Sequence, residues 1–180
     1  MDIAKELSFK DFEKMSALEL KFYGEDYVTP AEEAYLWYQK YPHTVTAAKE
    51  GDSIAGFVNL FPVKDDVFEK LKAGKFNDSQ MKLDDIADIN GTDGKLNMFL
   101  CCIVIDEKYR RGSFTKKLLL TAAQQYESVY EKCGDIVTDN VTKDGSQFSD
   151  RYGFSFVCNS NHGSKIYIQK FADFLNRIKE

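Results

Sequence analysis

Between Tyr109 and Thr115 the chain reads YRRGSFT. Two guanidinium groups, Arg110 and Arg111, stand beside Gly112, Ser113 and Thr115, just ahead of a stretch with helical periodicity. The chemistry that suits this arrangement is anion binding. The first N–H groups of a helix have no partners inside it and carry partial positive charge, so an oxyanion completes them. Arginine adds charge-assisted hydrogen bonds of about 1.5–3 kcal/mol each to a well-placed phosphate. Short side chains let phosphate oxygens approach the backbone. The same residues also suit a solvated connection with Ser113 or Thr115 as an ordinary helix cap. The surrounding elements decide between the two.

Other side chains able to do chemistry are few. Cys101 and Cys102 offer a covalent route if either thiolate accepts an acyl group, but both lie in a strongly apolar run, where a cysteine is a small core residue. With Cys133 and Cys158 they form no CxxC pair, so no metal site and no disulfide framework is expected. His43 and His162 fall near predicted loops, and no Ser, His, Asp arrangement is evident. Asp84, Asp85 and Asp88 could attract a cationic amine, and Tyr23, Tyr27, Tyr35, Trp37, Tyr38 and Tyr41 could wall a pocket. Helix packing and a solvated acidic face account for both groups equally well.

These residues must be held by elements that the pattern outlines. A short strand is expected at 3–9, then a helix in which Phe12, Met15, Leu18 and Phe22 recur and Gly24 supplies the stop. Thr29, Pro30, Glu32 and Glu33 open a second helix that closes before Pro42. Strands at 45–49 and 54–61 flank a Gly51-Asp52-Ser53 turn. A polar excursion from 64 to 94 contains one short helix, and KLNMFLCCIVI (95–105) is apolar on both faces, as a central strand covered on both sides would be. A helix over 114–130 follows, then a strand at 135–141, a short helix ending near Gly153, and a hairpin turning at 161–163. Strands and helices alternate in a mixed sheet.

Two features of that order resemble the GNAT family of acetyltransferases, and the resemblance covers nearly the whole chain. The loop after the fourth strand in that family reads Q/RxxGxG/A, and its backbone N–H groups hold the pyrophosphate of acetyl-CoA. Arg110, Arg111, Gly112, Ser113, Phe114 and Thr115 match it as RxxSxT. FSDRYGF (148–154) resembles the family's FYEKLGF. The resemblance implies an α/β (α+β) fold with a mixed, mostly antiparallel central sheet flanked by helices. It implies a single domain spanning 1–180 and main-chain contacts from Ile103, Val104 and Ile105 to the pantetheine arm. It further implies N-acetyltransferase activity, with acetyl-CoA as cosubstrate and direct attack by a primary amine of a small molecule or peptide in a ternary complex. Ser149 takes the place of the tyrosine that often protonates the departing thiolate. Whether it relays a proton, whether Tyr152 does so, or whether both only pack is left open. The alternative is a CoA-binding or interaction module that retains the fold without turnover.

Composition sets the outer limits. In 180 residues, 43% are hydrophobic and 29% charged, which is enough to bury one core. A net charge of −5 disfavours nonspecific contact with nucleic acid or anionic membranes, so an anionic ligand needs a local basic site. The N-terminal residues carry no signal-peptide pattern and no segment reaches membrane-spanning length, so a cytoplasmic protein is expected, as monomer or homodimer.

Overall fold

The structure, a computed structural model, describes residues 2–110 and 113–180. Alternating apolar residues build the hairpin of β2 (Val45–Glu50) and β3 (Ser53–Val63), and β1 (Asp2–Ile3) pairs antiparallel to β2. β4 (Leu96–Ile105) lies against β3, followed by β5 (Cys133–Asn140), β6 (Ser155–Asn159) and β7 (Lys165–Lys170). The seven strands form one sheet in the order β1-β2-β3-β4-β5-β7-β6. Every neighbouring pair is antiparallel except β4 and β5. This is the mixed, mostly antiparallel sheet that the sequence implied.

Helices cover both faces. On one, α4 (Phe114–Gln124) and α6 (Phe171–Lys179) pack Leu118, Leu119, Ala122, Phe174 and Ile178 against Leu96, Met98 and Leu100. On the other, α1 (Phe9–Glu19), α2 (Ala31–Lys40) and α3 (Asp65–Lys72) bring Phe12, Met15, Trp37, Phe68 and Leu71 against Phe57, Phe61, Phe99 and Val104. Burial of β4 on both sides explains its continuous apolar run.

Several elements differ from expectation: the helix expected over 114–130 ends at Gln124, and a separate 3-10 segment spans Glu127–Lys132. The opening strand is only two residues long, because Ser8 caps α1: its hydroxyl accepts from the Asp11 N–H at 3.3 Å while the Asp11 carboxylate accepts from the Ser8 N–H at 2.9 Å. The terminal α6 was not anticipated. It follows β7 with no intervening turn and no side-chain cap, so the strand pattern runs straight into it. α5 (Lys143–Tyr152) ends where the sequence places the stop, at Gly153 with φ of 82°, a conformation that costs glycine nothing.

Candidate active site

The one parallel contact in the sheet makes the site. β4 and β5 pair from Leu96 with Cys133 as far as Leu100 with Thr138. Both strands then continue, to Ile105 and Asn140, with the pairing ended. The open wedge leads into a cavity of about 910 Å³ that runs from the start of α4 to the end of α1. A cavity of that size takes a ligand larger than a simple metabolite.

A bulge shapes its wall. Asn59 pairs with Cys102 and Leu60 with Leu100, so Cys101 is an extra residue on β4. In a regular strand Cys101 and Cys102 would face opposite sides. The bulge resets the alternation, and both pack on the side of α1, α2 and α3, while Ile103 and Ile105 turn to the α4 side. Two adjacent thiols therefore line the same cavity.

At the α4 end lie most of the residues that the sequence proposed for a cofactor. Ile103, Val104, Ile105, Arg110, Ser113 and Thr115 all line the cavity. Phe114 does not; it packs toward the core beside Tyr109, ring centroids 6.3 Å apart. Arg111 and Gly112 lie outside the described residues. Ser113, the N-cap of α4, makes no side-chain hydrogen bond to the first turn, so those N–H groups receive no oxygen from that cap. The Arg110 guanidinium lies 4.4 Å from the centre of the Phe22 ring. Its Nε–H donates to the Ile105 carbonyl at 3.2 Å, so that carbonyl is already engaged, and the contact with Asp144, at 3.6 Å, is loose. Among the described residues, Asp144 is the only carboxylate within 4 Å of this guanidinium.

Ser149 is placed differently from the expectation. It is fully buried, its hydroxyl accepts from the Asn140 amide at 2.7 Å, and it is not among the residues lining the cavity. Thr138 completes this buried chain by donating to the Asn140 side-chain oxygen at 3.2 Å. The three side chains tie α5 to the free end of β5. Tyr152, one turn further along α5, does line the cavity, its ring tilted at 36° to that of Phe148 with centroids 4.5 Å apart.

The opposite end is acidic, and the sequence reading missed its members. Glu19, the last residue of α1, Asp78, from the β3–β4 excursion, and Asp139, on β5, line the cavity with Tyr23 and Tyr27. Burial and then the Asp78 charge push Glu19 up to about 7. Burial and then the Asp139 charge push Asp78 up to about 7. Burial raises the Tyr23 phenol as well, and it raises both thiols, helped by Asp78 at Cys101 and by Glu19 at Cys102. Protonated thiols are poor nucleophiles, which removes the chemical basis for an acyl-cysteine. Asp84, Asp85 and Asp88 are elsewhere; Asp85 and Asp88 accept from backbone N–H groups of their own loops. Of the aromatic set, Tyr35, Trp37 and Tyr38 belong to the helix packing. His43 packs on Tyr126, with ring centroids 5.6 Å apart, whereas His162 meets Asp139, Nε2 to Oδ2 at 2.7 Å.

Residues 12–147 match the family model described as Acetyltransferase (GNAT) family. The chain belongs to the GNAT family. Solved structures of the same fold include Ard1 from Thermoplasma volcanium, at 13% identity and a TM-score of 0.60, covering 94% of this chain and 96% of that one. PaiA N-acetyltransferase from Thermoplasma acidophilum, in complex with coenzyme A, aligns at 15% identity and a TM-score of 0.56, covering 95% and 100%. Arabidopsis thaliana Naa50, in complex with the bisubstrate analogue CoA-Ac-MVNAL, aligns at 11% identity and a TM-score of 0.60, again covering 95% and 100%. At these identities the likeness is one of fold. Comparison with curated protein sequences gave no match. Membership in this GNAT family supports acyl transfer in general, and among the described residues no helix is long and apolar enough to cross a membrane.

Proposed function

We propose that this GNAT protein transfers the acetyl group of acetyl-CoA to a primary amine by direct attack in a ternary complex. The observation that carries this reading is the wedge between β4 and β5, which joins a helix N-terminus at one end to raised carboxylates at the other. Pyrophosphate would sit at the start of α4, with Arg110 and the Ser113–Thr115 backbone around it. The pantetheine arm would follow the open edge of β4 along Ile103 and Val104, bringing the thioester toward Cys101, Cys102 and the acidic end.

The chemistry asks little of covalent machinery. An ammonium must lose a proton, and a carboxylate held near 7 is matched to accept it close to neutral pH. The neutral nitrogen attacks the thioester carbonyl, the C–N bond forms, and the C–S bond breaks. The CoA thiolate, a group with a thiol pKa of about 8.5, then takes up a proton from water or from the Tyr152 phenol. The net reaction yields an amide, CoA and one proton.

Calorimetry with acetyl-CoA, followed by a thiol-release assay over amines, tests the reading. Binding without turnover on any amine would favour the non-catalytic module, and no binding would sink both. Arg110→Ala is expected to weaken CoA about tenfold, as loss of one charge-assisted contact would, and to leave acetyl-pantetheine little changed. Equal losses for both ligands would count against a pyrophosphate contact. Ser149→Ala is expected to lower the unfolding free energy by about 1–2 kcal/mol, since the buried Asn140 amide loses its acceptor. Its kcat should stay within about twofold of wild type. Urea denaturation and steady-state rates on the same preparation check both halves; a large fall in kcat without loss of stability would restore Ser149 to the reaction.

A further inference from the structure

The acidic half of the cavity carries more negative charge than one reacting amine needs. Glu19, Asp78 and Asp139 act on one another in series, Asp78 on Glu19 and Asp139 on Asp78. His162 faces Asp139, and the thiols of Cys101 and Cys102 face Asp78 and Glu19; the cationic residues that line the cavity, Arg110, Lys116 and Arg151, come from the α4 and α5 walls.

Buried polar atoms at this end have no partner among the described residues. The Asp139 side chain is 5% exposed, and while Oδ2 meets His162, Oδ1 has no partner among the described residues. Beyond Glu19, Asp78 and Cys101 a small chamber of about 30 Å³ continues the cavity, lined by Trp37, which is 7% exposed and whose indole N–H is buried without a partner among the described residues. Buried polar atoms are nearly always satisfied, so the Asp139 oxygen marks a position for a donor such as an ammonium, while the Trp37 N–H, itself a donor, marks one for an ordered water. Among the described residues no three His, Cys, Asp or Glu side chains converge as metal ligands would. The negative charge is therefore spread along a wall. A spread row of carboxylates suits an elongated cation better than a single ion.

This inference rests on the acetyl-transfer reading above, and one requirement of that reaction sharpens it. The attacking nitrogen gives up its charge before it reacts, so in the reacting complex it leaves the rest of the acidic row without a cationic partner. We propose that the acceptor is a diamine or longer oligoamine, one nitrogen presented neutral to the thioester after giving its proton to Glu19, while a second, charged nitrogen is held by Asp78 and Asp139.

The test is calorimetry on the full chain saturated with CoA, titrated at pH 7 with α,ω-diaminoalkanes and with monoamines of equal carbon number. The best diamine is expected to bind at least about tenfold tighter than its monoamine. Its binding should release protons, read as a dependence of the measured enthalpy on buffer, because a bound cation favours ionised Glu19 and Asp78. The isosteric double variant Glu19→Gln, Asp78→Asn should lose both effects while still binding CoA and melting cooperatively. No diamine preference, or a preference that survives in the double variant, overturns the proposal. Failure of CoA to bind removes the acetyl-transfer reading and the acceptor with it. Acetylation of monoamines or peptides by acetyl-CoA without diamine preference removes the acceptor alone.

Discussion

Gly56→Val is expected to cost about 3 kcal/mol of stability, the upper end for over-packing, and to weaken acetyl-CoA by at least about tenfold in the fraction that still folds. Gly56 lies on β3 opposite Ile105, and an added Cβ would stand 2.8 Å from the Val104 carbonyl oxygen and 3.3 Å from the Ile105 Cα. Those are backbone atoms, which cannot swing aside as a flexible side-chain end would. Valine adds two further carbons at the same place. The relief available is displacement of the last residues of β4, and that segment is the proposed rail for pantetheine. Urea denaturation measures the first effect, and calorimetry well below the midpoint measures the second. A variant that loses stability but keeps its affinity would separate the β4 terminus from cofactor binding. Glycine within a strand commonly marks such a close approach of another backbone.

How much of this was legible beforehand differs by the physical origin of each feature. The β2–β3 hairpin, the two-faced β4 and the Gly153 stop rest on local periodicity and turn chemistry, and those signals are carried by adjacent residues. α6 also carried a signal, Phe171, Phe174, Leu175 and Ile178 at helical spacing, hidden because no breaker separates it from β7. Of the residues proposed for a cofactor, Arg110, Ser113 and Thr115 line the cavity, and the sequence had no means of telling Phe114, which turns to the core, from its neighbours. The acidic end was not. Glu19 follows Phe12, Met15 and Leu18 on the buried side of α1, which is the only local hint of its position. Asp78 looks like any residue of a polar excursion, and Asp139 enters the site because β5 parts from β4 beyond Thr138. Nor does the run of apolar residues betray the bulge that turns Cys101 and Cys102 to one side. These are consequences of strand pairing between distant segments, and no window of sequence contains them.

The same carboxylates give the free protein an unusual dependence on pH. Glu19 and Asp78 have folded values of about 7 against ordinary values of 4.5 and 3.8. Between those limits the folded chain holds more protons than the unfolded one, so stability must fall as pH rises from about 4 to about 7, and flatten above. Other groups pull the opposite way. At Asp11 burial is outweighed by Lys49 and Ser8, and at Asp135 by Lys170 and Lys95, so both lie below the ordinary 3.8. Their contribution is complete above that value and is lost only as pH drops through the lower range. His43, which burial holds below 6.5, contributes when neutral and loses that contribution as pH falls. It therefore opposes the two carboxylates in part of their window, and the wild-type curve alone is a sum. The decisive quantity is the difference between wild type and the double variant Glu19→Gln, Asp78→Asn, measured by urea unfolding of the ligand-free protein from pH 4.5 to pH 8. The variant is expected to gain stability relative to wild type as pH rises to about 7, after which the gap should hold constant. A gap that stays level across the whole range would mean that neither carboxylate is held protonated by the fold, and would remove the raised acids from the proposed deprotonation of the amine.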